Sequence, residues 1–135
     1  MTDGSEAVLA GQDTHRAQAL ALLAGLRTGK VDRGAVTGDF SWWWNRDLAF
    51  DYDTFAEVLG GLHAATVDGI TVTPGLVVAE GETVMVEATS QAPLKDGRVY
   101  ANRYVFVIHF TGDLVREVRE YSDTALVIEM FGLGG

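Results

Sequence analysis

Apolar residues recur at two different periods along this chain, and the change between them divides it. In the first half the spacing is helical. Leu20, Leu23 and Leu26 fall one turn apart, and Asp13 and Thr14 stand ahead of them as capping types. This predicts a flexible tail over residues 1–13 and a helix from there to about Arg27. The glycine-punctuated stretch RTGKVDRGAVTGDF predicts a loop holding at most one short helical turn. FSWWWNRDL, Phe40 to Leu48, predicts a short strand with Trp42 and Trp44 on one side and Trp43 on the other. Thr54-Phe55-Ala56-Glu57 has the spacing of a capping box. The helix it starts carries Phe55, Leu59 and Leu62 on one stripe and ends near Ala65.

From Ile70 the period becomes two. Short strands are predicted over Ile70–Pro74 and Gly75–Glu80, then longer ones in TVMVEATSQ, RVYANRYVFVIHF and LVREVREYSD, with Thr124–Phe131 extending the last. The ending GLGG, residues 132–135, reads as frayed. Asp96-Gly97 and Thr111-Gly112-Asp113 supply the turns. Helices followed by four or five antiparallel strands predict a single-domain α+β fold, with the helices on one face of a curved sheet.

Alternation then sorts the side chains. With Asp96-Gly97 as a two-residue turn, Gln91 pairs with Asn102, Thr89 with Tyr104 and Glu87 with Phe106. With Phe110 and Leu114 flanking the next turn, Tyr104 lies opposite Glu120 and Phe106 opposite Val118. One face then holds Met85, Glu87, Gln91, Asn102, Tyr104, Phe106, Val118, Glu120 and Ser122, apolar walls with a few polar groups, as in a ligand pocket. The other holds Arg103, Val105, Val107, His109, Arg119 and Tyr121, a flatter surface suited to another sheet or subunit.

Charge and composition narrow the function. Ten Lys+Arg against nineteen Asp+Glu give a net charge of −9, which repels nucleic acid and anionic membranes. Cysteine is absent, which removes disulfides and thiolate chemistry. Met1–Gly11 has no basic start followed by an apolar run, and no apolar stretch reaches bilayer length, so a cytoplasmic protein is expected. His15, His63 and His109 show no metal-ligand spacing, and no phosphate-binding loop is present. No metal or cofactor is therefore expected.

The order of elements, and above all GRVYANRYVFVIHFTGDLVREVREYSDT, resembles the SnoaL-like and ketosteroid-isomerase-like proteins of the nuclear-transport-factor-2-like superfamily. The resemblance rests on Tyr100, Asn102, Tyr104, Phe106, Gly112, Arg119, Glu120, Tyr121 and Asp123, and spans roughly residues 14–131. It implies a cone in which a curved sheet wraps helices around a cavity, and a homodimer joined through the outer sheet face by Arg103, Val105, Val107, Arg119 and Tyr121. Glu120 falls where the epoxide hydrolases of the group place a catalytic aspartate. Glu87 falls on the strand where they keep an Arg-x-Asp pair, but here Met85 replaces the arginine.

The candidate chemistry follows from the pocket face. A carboxylate desolvated by apolar walls has a raised pKa, which suits proton transfer near neutral pH. Glu120 and Glu87 are the candidate catalytic acids, with Tyr104 as a donor to a developing oxyanion. Asn102, Phe106, Val118, Trp42, Trp44 and Gln91 are the candidate contacts to a small apolar molecule. Other readings stand beside these: Glu120 pairs with Arg103, Arg116 or Arg119, and Asn102 with Gln91 across the hairpin. In function, a cofactor-free isomerase, cyclase or epoxide hydrolase stands beside a non-catalytic binding or interaction module of the same fold.

Overall fold

A computed structural model describes the backbone of residues 4–132 and the side chains of residues 11–132. Helix α1 spans Gly4–Gly25, and two short 3-10 turns follow at Leu26–Thr28 and Arg33–Ala35. Strand β1 (Val36–Trp44), strand β2 (Leu48–Asp51) and helix α2 (Tyr52–Ala65) come next. Strands β3 (Thr71–Glu80), β4 (Thr83–Pro93), β5 (Val99–Thr111) and β6 (Leu114–Ser122) lead to a final helix, α3 (Thr124–Phe131). The six strands form one sheet in the order β2-β1-β6-β5-β4-β3, and the helices pack on its inner face. The architecture is the expected α+β fold with a curved, unclosed sheet. No helix of the described residues is long and apolar enough to cross a membrane.

Several local expectations are corrected. Helix α1 begins nine residues before Asp13, so most of the expected tail is helical; Ala7, Leu9 and Ala10 are good helix formers and no proline interrupts them. Residues 1–3 and 133–135 lie outside the described part. The cap of α2 is Asp51, whose carboxylate accepts from Thr54 N at 2.8 Å, rather than Thr54 itself. The predicted strands Ile70–Pro74 and Gly75–Glu80 are one strand, β3, bulged between Pro74 and Val77. Pro74 cannot donate to a ladder, and β3 lies at the sheet edge where that is tolerated. Thr124–Phe131 is a helix although it is rich in β-branched residues. Asp123 ends β6 and caps α3, accepting from Leu126 N at 3.1 Å. Finally, the sheet is mixed, because β1 runs parallel to β6.

The register of β4 against β5 differs by one residue from the expected one. Pro93 pairs with Val99, Ser90 with Asn102, Ala88 with Tyr104 and Val86 with Phe106. The turn holds three residues, not two. Gly97 N donates to Leu94 O, Leu94 N donates to Arg98 O, and Gly97 takes a φ of 92°. A type I turn closed by a left-handed glycine explains this pattern. Asp96 braces it by accepting from both Arg98 N and Arg98 Nε. A one-residue slip sends every β4 side chain to the opposite face. Met85, Glu87, Thr89 and Gln91 therefore point outward, and Val84, Val86, Ala88 and Ser90 are buried.

The β5–β6 hairpin shifts twice. Thr111 pairs with Leu114 around Gly112-Asp113, and a bulge between His109 and Phe110 leaves Arg116 as the extra residue. Beyond it Phe106 pairs with Glu120 and Ile108 with Val118. The two one-residue shifts move the register by two in all, so Glu120 keeps its place on the inner face.

Candidate functional site: a buried carboxylate at the heart of the cone

The inner sheet face and the helices enclose a cavity of about 40 Å³. Strand β1 contributes Trp42 and Trp44, which alternation places on the same side. Helix α2 contributes Phe55, Leu59 and Leu62, the stripe read from the sequence, and α3 contributes Val127 and Phe131. Tyr100, Tyr104 and Phe106 of β5 line the sheet side, and Glu120 of β6 is the charged wall. The aromatic groups lock one another: Trp42 stacks on Phe55 at 4.2 Å and meets Phe106 edge-on, and Tyr104 stacks on Phe106 at 4.9 Å.

Glu120 is 8% exposed and no cation approaches it among the described residues. Arg103 and Arg119 lie on the outer face, so the ion-pair reading of Glu120 fails on strand parity. Its oxygens are served by neutral donors. Trp42 Nε1 donates to Oε1 at 3.0 Å, and Ser122 Oγ donates to Oε2 at 2.9 Å. The buried Trp44 Nε1 has no partner in hydrogen-bond geometry, yet its N–H dipole still helps to hold the carboxyl pKa down. Burial dominates. It pushes Glu120 up from 4.5 to about 6, against the opposing hydrogen bonds of Ser122 and Trp42 and the nearby Trp44 N–H.

A second polar cluster sits on the same wall. Ser90 Oγ and the Tyr104 hydroxyl are 2.7 Å apart, and the Tyr104 and Tyr100 hydroxyls are also 2.7 Å apart. Asn102 Nδ2 donates to the Tyr100 hydroxyl at 2.9 Å. Burial raises the pKa of both phenols, and the charge on Glu120 raises both further. They therefore stay protonated and act as donors rather than bases.

The structure brings together Glu120, Tyr104, Phe106, Trp42 and Trp44 around the cavity, and adds Tyr100, Ser90 and Ser122. Tyr100 shares its parity with Asn102 and Tyr104, so alternation alone could have placed it. Ser90 was hidden by the turn length. Other expected site residues fall elsewhere. Glu87 is exposed on the outer face opposite Val105, and Gln91 is exposed opposite Ala101. Both were displaced by the three-residue turn, and with them goes the Asn102–Gln91 pair. Val118 is fully buried between Ile108 and Trp42 on the inner face and does not line the cavity. Asn102 spends its amide on Tyr100 and on the backbone of Asp123, so it positions the start of α3.

A larger hollow, about 700 Å³, is a different one. It is an open groove on the outer face, flanked by Glu87, Thr89, Arg103, Val105 and Tyr121. Here Arg119 lies over the Trp43 ring at 3.9 Å, and Trp43 meets Tyr121 edge-on. It is the surface that the sequence assigned to Arg103, Val105, Val107, Arg119 and Tyr121. Among the described residues no group of three or more metal-ligating side chains converges.

No protein-family model matches the chain, and no curated protein matches it. Solved structures do. The pinacolase BvnE from Penicillium brevicompactum superposes with a TM-score of 0.79 at 15% identity, over 96% of this chain and 93% of that one. A protein provisionally assigned as a SnoaL-like polyketide cyclase, from Jannaschia, gives 0.71 at 16%, covering 93% and 96%. A nuclear-transport-factor-2-like protein from Anabaena variabilis gives 0.71 at 22%, covering 91% and 94%. At these identities the likeness establishes the fold: the chain adopts the nuclear-transport-factor-2-like cone.

Proposed function

We propose that this chain is a cofactor-free acid–base enzyme acting on a small apolar molecule that carries an oxygen function, with Glu120 as the proton carrier. The observation that carries the reading is a carboxylate buried among aromatic walls with no counter-cation among the described residues. Retaining such a group costs stability, and perturbed acids of this kind cluster at working sites. Above pH about 6 the carboxylate is ionised and can take a proton from carbon. Protonated Glu120 then returns that proton to another atom of the same molecule.

The tyrosine chain supplies the other half. In the orientation Ser90 to Tyr104 to Tyr100, the Tyr100 oxygen accepts from Asn102 and Tyr104, and its own hydrogen is left for a ligand oxygen. A neutral donor on the same wall as a base stabilises charge that develops on that oxygen. Isomerisation, cyclisation or epoxide opening all need these two roles. A panel of apolar ketones, lactones and epoxides tests the reading by turnover. Wild type turns over at least one of them, and Glu120→Gln loses that activity while keeping its fold. A stable Glu120→Gln variant with full activity overturns it.

A second reading has its own support. A cavity of about 40 Å³ takes roughly one or two waters. A cone filled by its own side chains suits an interaction module. The outer face, with Val105, Val107, Trp43 and Tyr121 between the alternating charges of Glu87, Arg103, Glu117 and Arg119, suits a two-fold contact between copies. Sedimentation of wild type and Val107→Asp reads this: a dimer that the variant dissociates supports self-association, and a monomeric wild type removes it.

A further inference from the structure

We infer that helix α3 is a hinged lid over the Glu120 cavity, latched by Arg98. This rests on the reading of that cavity as a ligand site, because a space of about 40 Å³ admits no organic molecule unless a wall moves. The walls differ in how firmly they are held. The sheet wall is fixed by its ladder. Helix α2 buries Phe55, Leu59 and Leu62, whereas α3 buries only Val127 in its eight residues. Shallow anchorage marks the element that opens at least cost.

Both ends of α3 are built for such a movement. At its start, Asn102 clamps the backbone of Asp123, donating to its carbonyl at 3.1 Å and accepting from its N–H at 3.2 Å. The same amide nitrogen holds the Tyr100 hydroxyl, so the hinge is tied to the polar cluster. At its far end, the helix closes on Gly132 with a φ of 69°. There Arg98 Nη2 donates to Met130 O at 2.8 Å, where a cation also complements the negative end of the helix. Arg98 is shared with Asp96 and its side chain is 48% exposed, so the latch is accessible to water and weak. Phe131, edge-on to Tyr100 at 5.0 Å, is the plug. Movement of the tip about Asp123 withdraws Phe131 and exposes the Tyr100 hydroxyl and Glu120.

The test needs no substrate, so its outcome is independent of turnover by Glu120. In a Trp43→Phe background the remaining tryptophans, Trp42 and Trp44, both face the cavity, and acrylamide quenching of their fluorescence reads access to it. Arg98→Ala is expected to raise the quenching constant several-fold, and to speed amide exchange in α3 about tenfold while exchange in α2 and β5 stays as in the parent. Quenching that does not change, or exchange that rises equally in α2, α3 and β5, overturns the lid. If Glu120→Gln leaves turnover intact while Arg98→Ala opens the cavity, the lid stands and the acid–base reading falls.

Discussion

The Trp42 indole donates to Glu120 Oε1 at 3.0 Å across a parallel strand pair, although the two residues lie 78 positions apart in sequence. Backbone pairing sets Trp42 beside Val118 and Trp44 beside Glu120, so two indoles bracket one carboxylate. The three adjacent tryptophans are thus not equivalent. Two serve the buried acid, and Trp43 serves the outer face with Arg119 and Tyr121.

Glu120 makes stability fall with rising pH. Its pKa is about 6 in the folded chain against 4.5 for an unperturbed group, so the native state holds the proton more tightly. This group's contribution is complete below pH 4.5, declines through pH 6 and is absent above it. The loss is roughly 2 kcal/mol. Glu120→Gln is expected to remove that dependence and to be at least as stable as wild type at pH 7. Urea denaturation at pH 4.5 and pH 7 measures both values. A wild-type stability that rises between those pH values relative to the variant contradicts the assignment.

Activity follows the opposite sign. A base must be ionised, so turnover is expected to increase as pH rises through about 6 and then level off. The pH profile of kcat reads this group once substrate is bound. A profile that falls through that range makes the protonated carboxyl the working form.

Tyr104→Phe keeps the ring stack on Phe106 and removes the central hydroxyl of the chain. Ser90 and Tyr100 then each lose a buried partner, which is expected to cost about 1–3 kcal/mol. Trp42→Phe is expected to cost more, about 2–4 kcal/mol, because it removes a donor to the carboxylate and leaves a void beside Phe55. Thermal and urea unfolding of the two variants ranks them.

Glu87→Gln separates the two possible hairpin registers. With Glu87 exposed on the outer face, the change is expected to alter stability by under about 0.5 kcal/mol and to leave the pH profile unchanged. An effect comparable to that of Glu120→Gln places Glu87 in the cavity and restores the two-residue turn.

Gly69→Ala is expected to be strongly destabilising, by about 2–4 kcal/mol. Gly69 has a φ of 79°, and a Cβ there overlaps the Arg27 carbonyl oxygen. Its N–H donates to Thr66 Oγ1 at 2.8 Å, which fixes the backbone at this position. A Tm within a degree or two of wild type contradicts the close approach.

What the sequence determined by itself was periodicity. The leucine spacing of α1, the stripe on α2, the alternation of Trp42, Trp43 and Trp44, and the shared parity of Asn102, Tyr104 and Phe106 all follow from side-chain direction along one element. What only the tertiary structure decided was how those elements meet. The β4–β5 register hung on whether Gly97 closed a three-residue turn, and that single residue moved Glu87 out and Ser90 in. The parallel pairing of β1 with β6, which brings Trp42 to Glu120, joins segments far apart in sequence and leaves no local signal. The helical fate of Thr124–Phe131 was settled by the Asp123 cap and by burial of Val127 against the cone, which outweigh its β-branched composition. The volume of the cavity is the residue of all these packings at once. No window of the chain encodes it, because it depends on how closely α2, α3 and the sheet fill the space between them.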